Sequence, residues 1–203
     1  MKSKASPLFL TRARFRLGLA VPVDYRDFER DLADGSARDF LRNTSETTRR
    51  EVAERASRLQ GLAHEVLGQV ERVHVLRRRA DFGRLFDTDA EVVTLVGHSP
   101  SPAELELIDE RASWQSLIDA IPLNFRGMLD VRVCCAEASM ADFVRRTRPD
   151  CVVRAPDGKL DFNTVAWSYA RALTFLVKDG LPFDEALRAT WRELSEAARA
   201  SKA

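Results

Sequence analysis

The run Val92-Val93-Thr94-Leu95-Val96 constrains this chain more than any other segment. Its side chains are nearly all apolar and mostly β-branched, which suits a pleated surface. A strand with one wet face alternates apolar and polar residues. A continuous apolar run belongs to a strand covered on both faces, as in parallel sheets whose crossover helices lie above and below. The run therefore predicts an α/β fold, a mostly parallel sheet flanked by helices on both faces. The rest of the chain must then supply helices and further strands.

It reads that way in order. Arg14-Phe15-Arg16-Leu17-Gly18-Leu19-Ala20-Val21 alternates as a first strand, closed by Pro22. Asp24 to Asn43 is polar with Phe28, Leu32, Phe40 and Leu41 interspersed, and Gly35 divides it into two short helices. Ser45 to Gly68 is a long charged helix. Thr44 or Ser45 can cap it, and Val52, Ala56, Leu59, Ala63, Val66 and Leu67 recur at helical spacing. Val73 to Leu76 is a short strand, Arg77-Arg78-Arg79 a solvated turn, and Asp81 to Asp87 a helical turn with Phe82, Leu85 and Phe86 inward. Ser113 to Ile121 is a helix, Met128 to Cys134 a strand, Ser139 to Thr147 a helix and Cys151 to Arg154 a strand. Phe162 to Lys178 and Phe183 to Ala200 close the chain as two helices, with Gly180 suited to the first helix's end and Pro182 to the restart. Alternating strands and helices argue for a single layered domain over residues 1–203, with the helix at about 45–68 as an insertion or regulatory element.

Composition narrows the function. A net charge of +1 points to neither nucleic acid nor a membrane surface as a partner. No apolar run is long enough to span a bilayer. Arg12, Arg14 and Arg16 interrupt the apolar residues near the start, so no signal-peptide stretch is read there. Three cysteines, two of them adjacent, do not make a disulfide framework, and a reducing cytoplasm is the expected setting. There is no His-x-x-x-His or Cys-x-x-Cys spacing and no glycine-rich phosphate loop, so neither metal nor cofactor is expected.

In open α/β sheets, ligands bind at the carboxyl ends of the strands. Two strand ends carry chemistry. One reads Leu95-Val96-Gly97-His98-Ser99 and the other Val131-Arg132-Val133-Cys134-Cys135-Ala136-Glu137. A thiolate is a nucleophile, and a nearby imidazole can hold its proton and later deliver it to a leaving amine. His64, mid-helix, and His74, within a strand, read as structural. Gly97-His98-Ser99-Pro100-Ser101 matches the G-x-S-x-G elbow poorly: Ser101 replaces the last glycine, and no histidine follows His98 to serve Ser99.

The two strand ends, in this order, resemble those of caspase-like (clan CD) cysteine peptidases, closest to the bacterial CHAT and metacaspase-type domains. In that family one strand ends in the catalytic histidine and the next core strand in the catalytic cysteine. The helix-glycine-Glu-Ala-Leu pattern at Tyr169, Leu173, Gly180 and Phe183 to Leu187 is similar to the end of CHAT domains. The resemblance covers about Val73 to Leu194. It implies a caspase-like three-layer sandwich and a cytoplasmic thiol protease, a hydrolase that needs no cofactor. Cys135 is the nucleophile it favours, with Cys134 as the alternate, and His98 is the general base and acid. The implied partner is a protein or peptide substrate, together with a regulatory protein. Two departures stand out. Ser99 replaces the glycine that follows the family's histidine, and Val133 replaces the acidic residue that gives metacaspases their basic preference. They leave open a catalytically inactive interaction module on the same fold, and an unrelated α/β ligand-binding domain in which these residues are structural.

Overall fold

The Val92 run is the middle of the molecule. A computed structural model describes residues 15–34, 44–67, 73–86, 90–101, 103–133, 138–155 and 162–200. In it β3 (Val92–Ser101) runs parallel between β1 (Phe15–Ala20) and β6 (Met128–Val133). β2 (Val73–Val75) lies outside β1 and β7 (Val152–Arg154) outside β6, both again parallel. The parallel order is β2-β1-β3-β6-β7. Val92, Val93, Thr94, Leu95 and Val96 are each 0% exposed, as a strand covered on both faces requires.

The period-two alternation of the strands sorts side chains into two cores. Leu17, Leu19, Val92, Val96 and Met128 pack under α2 (Glu46–Leu67), α6 (Phe162–Lys178) and α7 (Phe183–Ala200). Val93, Leu95, Leu129, Val131 and Val133 pack under α3 (Arg79–Gly83), the 3-10 turn Arg84–Phe86, α4 (Trp114–Asp119) and α5 (Ala138–Thr147). The result is a three-layer sandwich with helices on both faces. The long charged helix is α2: Ala56, Leu59 and Ala63 face the sheet core, while its charged side chains are largely exposed. α1 (Tyr25–Ala33) is capped by the Asp24 carboxylate and packs Phe28 against Val52 and Ala53 of α2. The second short helix read before Asn43 lies outside the described residues. Gly180, with φ 64°, takes the left-handed conformation that ends α6 and lets the chain turn into α7.

Two features differ from the sequence reading. First, β3 does not end at Gly97. Its last residues continue as one strand of an antiparallel ribbon with β4 (Glu104–Glu106) and β5 (Arg111–Ser113), completing seven strands among the described residues. The link from β3 to β6 is thus a hairpin plus α4, not a helix alone. Strands of three residues are too short for periodicity to reveal, and Pro100 and Pro102 mark the segment as a loop. Second, the run Arg77-Arg78-Arg79 is largely exposed, but Arg77 at its start has ion-pair partners that the sequence reading did not assign. It donates to both carboxylate oxygens of buried Asp27 at 2.9 and 3.1 Å and to Asp109 at 3.2 Å, while Arg30 also reaches Asp109 at 3.2 Å. The hairpin's turn is pinned in the same place, where Ile108 and Asp109 N–H groups donate to the carbonyls of Leu76 and Arg77.

Candidate functional site

The order β2-β1-β3 reverses direction between β1 and β3, and in open α/β sheets ligands bind at the carboxyl ends of the strands beside such a point. There Ala20 pairs with Gly97, and Gly97 in turn pairs with Val133 of β6. The ends of β1 and β6 therefore flank one glycine of β3. The meeting is close: a Cβ on Gly97 would stand 2.8 Å from Ala20 Cβ and 3.2 Å from Leu105 Cδ1 of the hairpin. Glycine is the residue that permits this approach.

His98 follows Gly97. It is half-buried, inside β3, and pairs with Glu106 of β4. It stands one residue past the parallel pairing of β3 with β1 and β6, where β3 begins to pair with antiparallel β4. Val96 faces the α2/α6/α7 layer, and strand alternation puts His98 on that same face. Ser99 is 4% exposed, and its Oγ lies 2.6 Å from Ser101 O and contacts the Glu104 carbonyl. Its hydroxyl therefore closes the β3–β4 ribbon. This is a local structural duty for the Ser99 side chain.

Cys134 and Cys135 lie outside the described residues, directly after Val133. The third cysteine, Cys151, is buried. Burial pushes its thiol up to about 11, only partly opposed by a backbone hydrogen bond from Leu129 and by the charge of Arg148. A thiol held neutral in this way is a poor nucleophile. His64 sits in α2 and His74 in β2, not on β3 or β6.

Several polar residues at this end escaped the sequence reading. Asp130 and Arg132 stand on the His98 face of β6, opposite Thr94 and Val96. Asp130 is fully buried, and Arg132 Nη2 lies 3.1 Å from its Oδ1. Arg132 Nε donates to the buried Tyr169 hydroxyl of α6 at 3.2 Å. A charged pair inside an apolar strand is the signal that could have marked them. Glu106 is 2% exposed, and Arg111 Nη2 of β5 stands 4.0 Å from its Oε1. Glu106 also lines a cleft of about 410 Å³ with Arg30, Asp31 and Asp34 of α1. The alternation Glu104-Leu105-Glu106-Leu107 is too short to have announced this strand.

Among the described residues, no group of three or more histidine, cysteine or acidic side chains is arranged to hold a metal ion. No described helix is long and apolar enough to cross a membrane. Comparison with known proteins finds no matching family model, no similar curated protein and no similar solved structure.

Proposed function

We propose that this chain is a cysteine-type endopeptidase of caspase-like design, in which His98 and one cysteine of the pair Cys134-Cys135 cleave a protein or peptide substrate. One observation carries the reading. β3 and β6 are parallel neighbours in a register that pairs Gly97 with Val133, the residues immediately before His98 and Cys134. The register thus sets the positions just before the histidine and the cysteine pair side by side at the carboxyl ends of parallel strands, the end where ligands bind in open α/β sheets. α5 begins at Ala138, so the cysteine pair also shortly precedes a helix N-terminus, whose positive end favours a thiolate.

The chemistry follows from these groups. The thiol passes its proton to His98, and the thiolate sulfur attacks the scissile carbonyl carbon. The C–N bond breaks as the imidazolium protonates the leaving amine, which leaves a thioester. A water molecule, deprotonated by His98, attacks the thioester. The C–S bond then breaks to release a carboxylic acid and regenerate the thiol. Cys135 is the preferred nucleophile by family resemblance, and Cys134 is the alternate. Three cysteines without a disulfide framework suit a reducing, cytoplasmic setting.

Alkylation with iodoacetamide across pH tests the reading, with Cys134→Ala, Cys135→Ala and His98→Ala as variants. One thiol of the pair should react at neutral pH at least about tenfold faster than an ordinary thiol, and His98→Ala should remove the excess. Buried Cys151 serves as the internal unreactive control. If both thiols of the pair follow an ordinary cysteine profile whether or not His98 is present, the peptidase reading fails. An interaction module on the same fold then takes its place.

A further inference from the structure

The hairpin joined to β3 puts a charged row across the carboxyl end of the sheet. His98 of β3 pairs with Glu106 of β4, and Glu106 pairs with Arg111 of β5. Directly opposed residues of antiparallel strands project to the same face, with Cβ atoms about 4.5–5.5 Å apart. Leu105 and Leu107, on either side of Glu106, turn into the opposite core with Val93 and Leu95. Glu106 is therefore directed away from that core, to the face His98 occupies. The row runs in order from imidazole to carboxylate to guanidinium, and it starts beside the end of β6.

We infer that Glu106 is a positioning residue for His98, a buried carboxylate that holds the imidazole in one orientation and stabilises its protonated form. The inference rests on the His98–cysteine reading above and extends it from two groups to three. A cysteine–histidine pair works only while the imidazole keeps the thiol's proton close and returns it to the leaving amine. A carboxylate on the far side of the ring fixes the tautomer and stabilises the imidazolium. Glu106 is suited to this role because it is 2% exposed and is carried on a strand rather than a mobile loop. Arg111, across from it at 4.0 Å, supplies the positive charge that a buried carboxylate needs. Arg30, Asp31 and Asp34 of α1 share the cleft with Glu106, and Arg132 of β6 lies on the His98 face. None of these four is a cross-strand partner of His98.

The chain has three histidines, so three imidazole proton signals report on it, and His98→Ala identifies the one that matters. The experiment follows that signal with pH in the native protein, in Glu106→Gln and in Arg111→Met, and measures alkylation of the cysteine pair in the same samples. Glu106→Gln should move the His98 titration to lower pH by about one unit or more, since a carboxylate at this range shifts its partner by that order. It should also slow alkylation at neutral pH by about tenfold. Arg111→Met leaves the carboxylate facing His98 alone, so it should move the titration to higher pH. It supplies a second reading if Glu106→Gln does not fold. A His98 titration that moves in neither variant, in a protein whose thiol still responds to His98→Ala, overturns this inference alone. A thiol indifferent to His98→Ala overturns the peptidase reading and this inference with it.

Discussion

Replacing Arg148 by methionine keeps most of the side chain's aliphatic length and removes its guanidinium. Arg148 is 9% exposed, and its three acceptors are all backbone carbonyls: Ile121 O at 2.9 Å, Thr147 O at 2.9 Å and Ile118 O at 3.4 Å. It closes the carboxyl end of α4 from the end of α5. Ile118 O keeps its bond from Ile121 N, so the loss falls mainly on Ile121 O and, in a half-buried setting, on Thr147 O. A hydrogen bond to a charged group contributes about 1.5–3 kcal/mol, and the contact at 3.4 Å adds a fraction of that. Part is offset because a buried cation no longer needs desolvation. The expected cost of Arg148→Met is about 2–3 kcal/mol, and Arg148→Ala should cost about 1–2 kcal/mol more through lost packing. In urea the unfolding midpoint should fall with an unchanged slope, and the melting temperature should drop by about 5–10 °C for a chain of this size. Arg148→Lys should recover part of the loss, because an ammonium reaches one carbonyl but not three. A midpoint for Arg148→Met within about 0.5 kcal/mol of the native protein would refute the capping role.

Other perturbations read the same end of the molecule. Gly97→Ala forces a methyl against Ala20 Cβ and Leu105 Cδ1 and should cost about 1–3 kcal/mol by denaturation, with the His98 imidazole signal displaced. An unchanged signal would show that the glycine is not what seats His98. Arg132→Gln strips the guanidinium from fully buried Asp130 and should destabilise by about 3 kcal/mol, whereas Tyr169→Phe should cost about 1 kcal/mol. Equal losses in the two variants would contradict the ion pair as the main term. Cys151 gives a pH effect whose sign is set by burial. Its thiol ionises at about 11 in the folded chain against 9.0 in the open, so the unfolded state loses this proton first. Stability should therefore fall as pH rises through that window, by roughly 2–3 kcal/mol from this group alone. Urea midpoints at neutral pH and near the upper end of the window should show a smaller fall for Cys151→Ala than for the native chain.

What could be read ahead of the structure followed the length of each pattern. Val92 to Val96 is long and uniform enough to announce a central strand, and α2, α6 and α7 announce themselves through several turns of apolar spacing. β4 and β5 have three residues each, and their partner strand contains Pro100, so local composition argued against them. Only pairing, of β4 with β3 and of β5 with β4, makes them strands. The same gap hid Glu106, because an acidic residue in a supposed loop carries no sign of burial. Arg77 was taken for a solvated charge because its partners, Asp27 and Asp109, are distant in sequence and come together only through the fold. His98 was visible because it ends a legible run. The cysteines were visible through residue type, but the register that brings their strand beside Gly97 is a property of the sheet.

The place of β1 has a consequence for how the protein is made. β1 lies inside the sheet, and its hydrogen-bonding partners, which pair Leu17 with Val73 and Phe15 with Val92, come much later in the chain. β3 in turn waits for Met128 to Val133 before its second edge is covered. A growing or truncated chain that stops short of Val133 therefore exposes the apolar Val92–Val96 stretch of β3 along one side, an invitation to pair with a neighbouring chain. Cys134 follows the residue that closes this edge, so the thiols are translated only once every strand that covers β3 has been made.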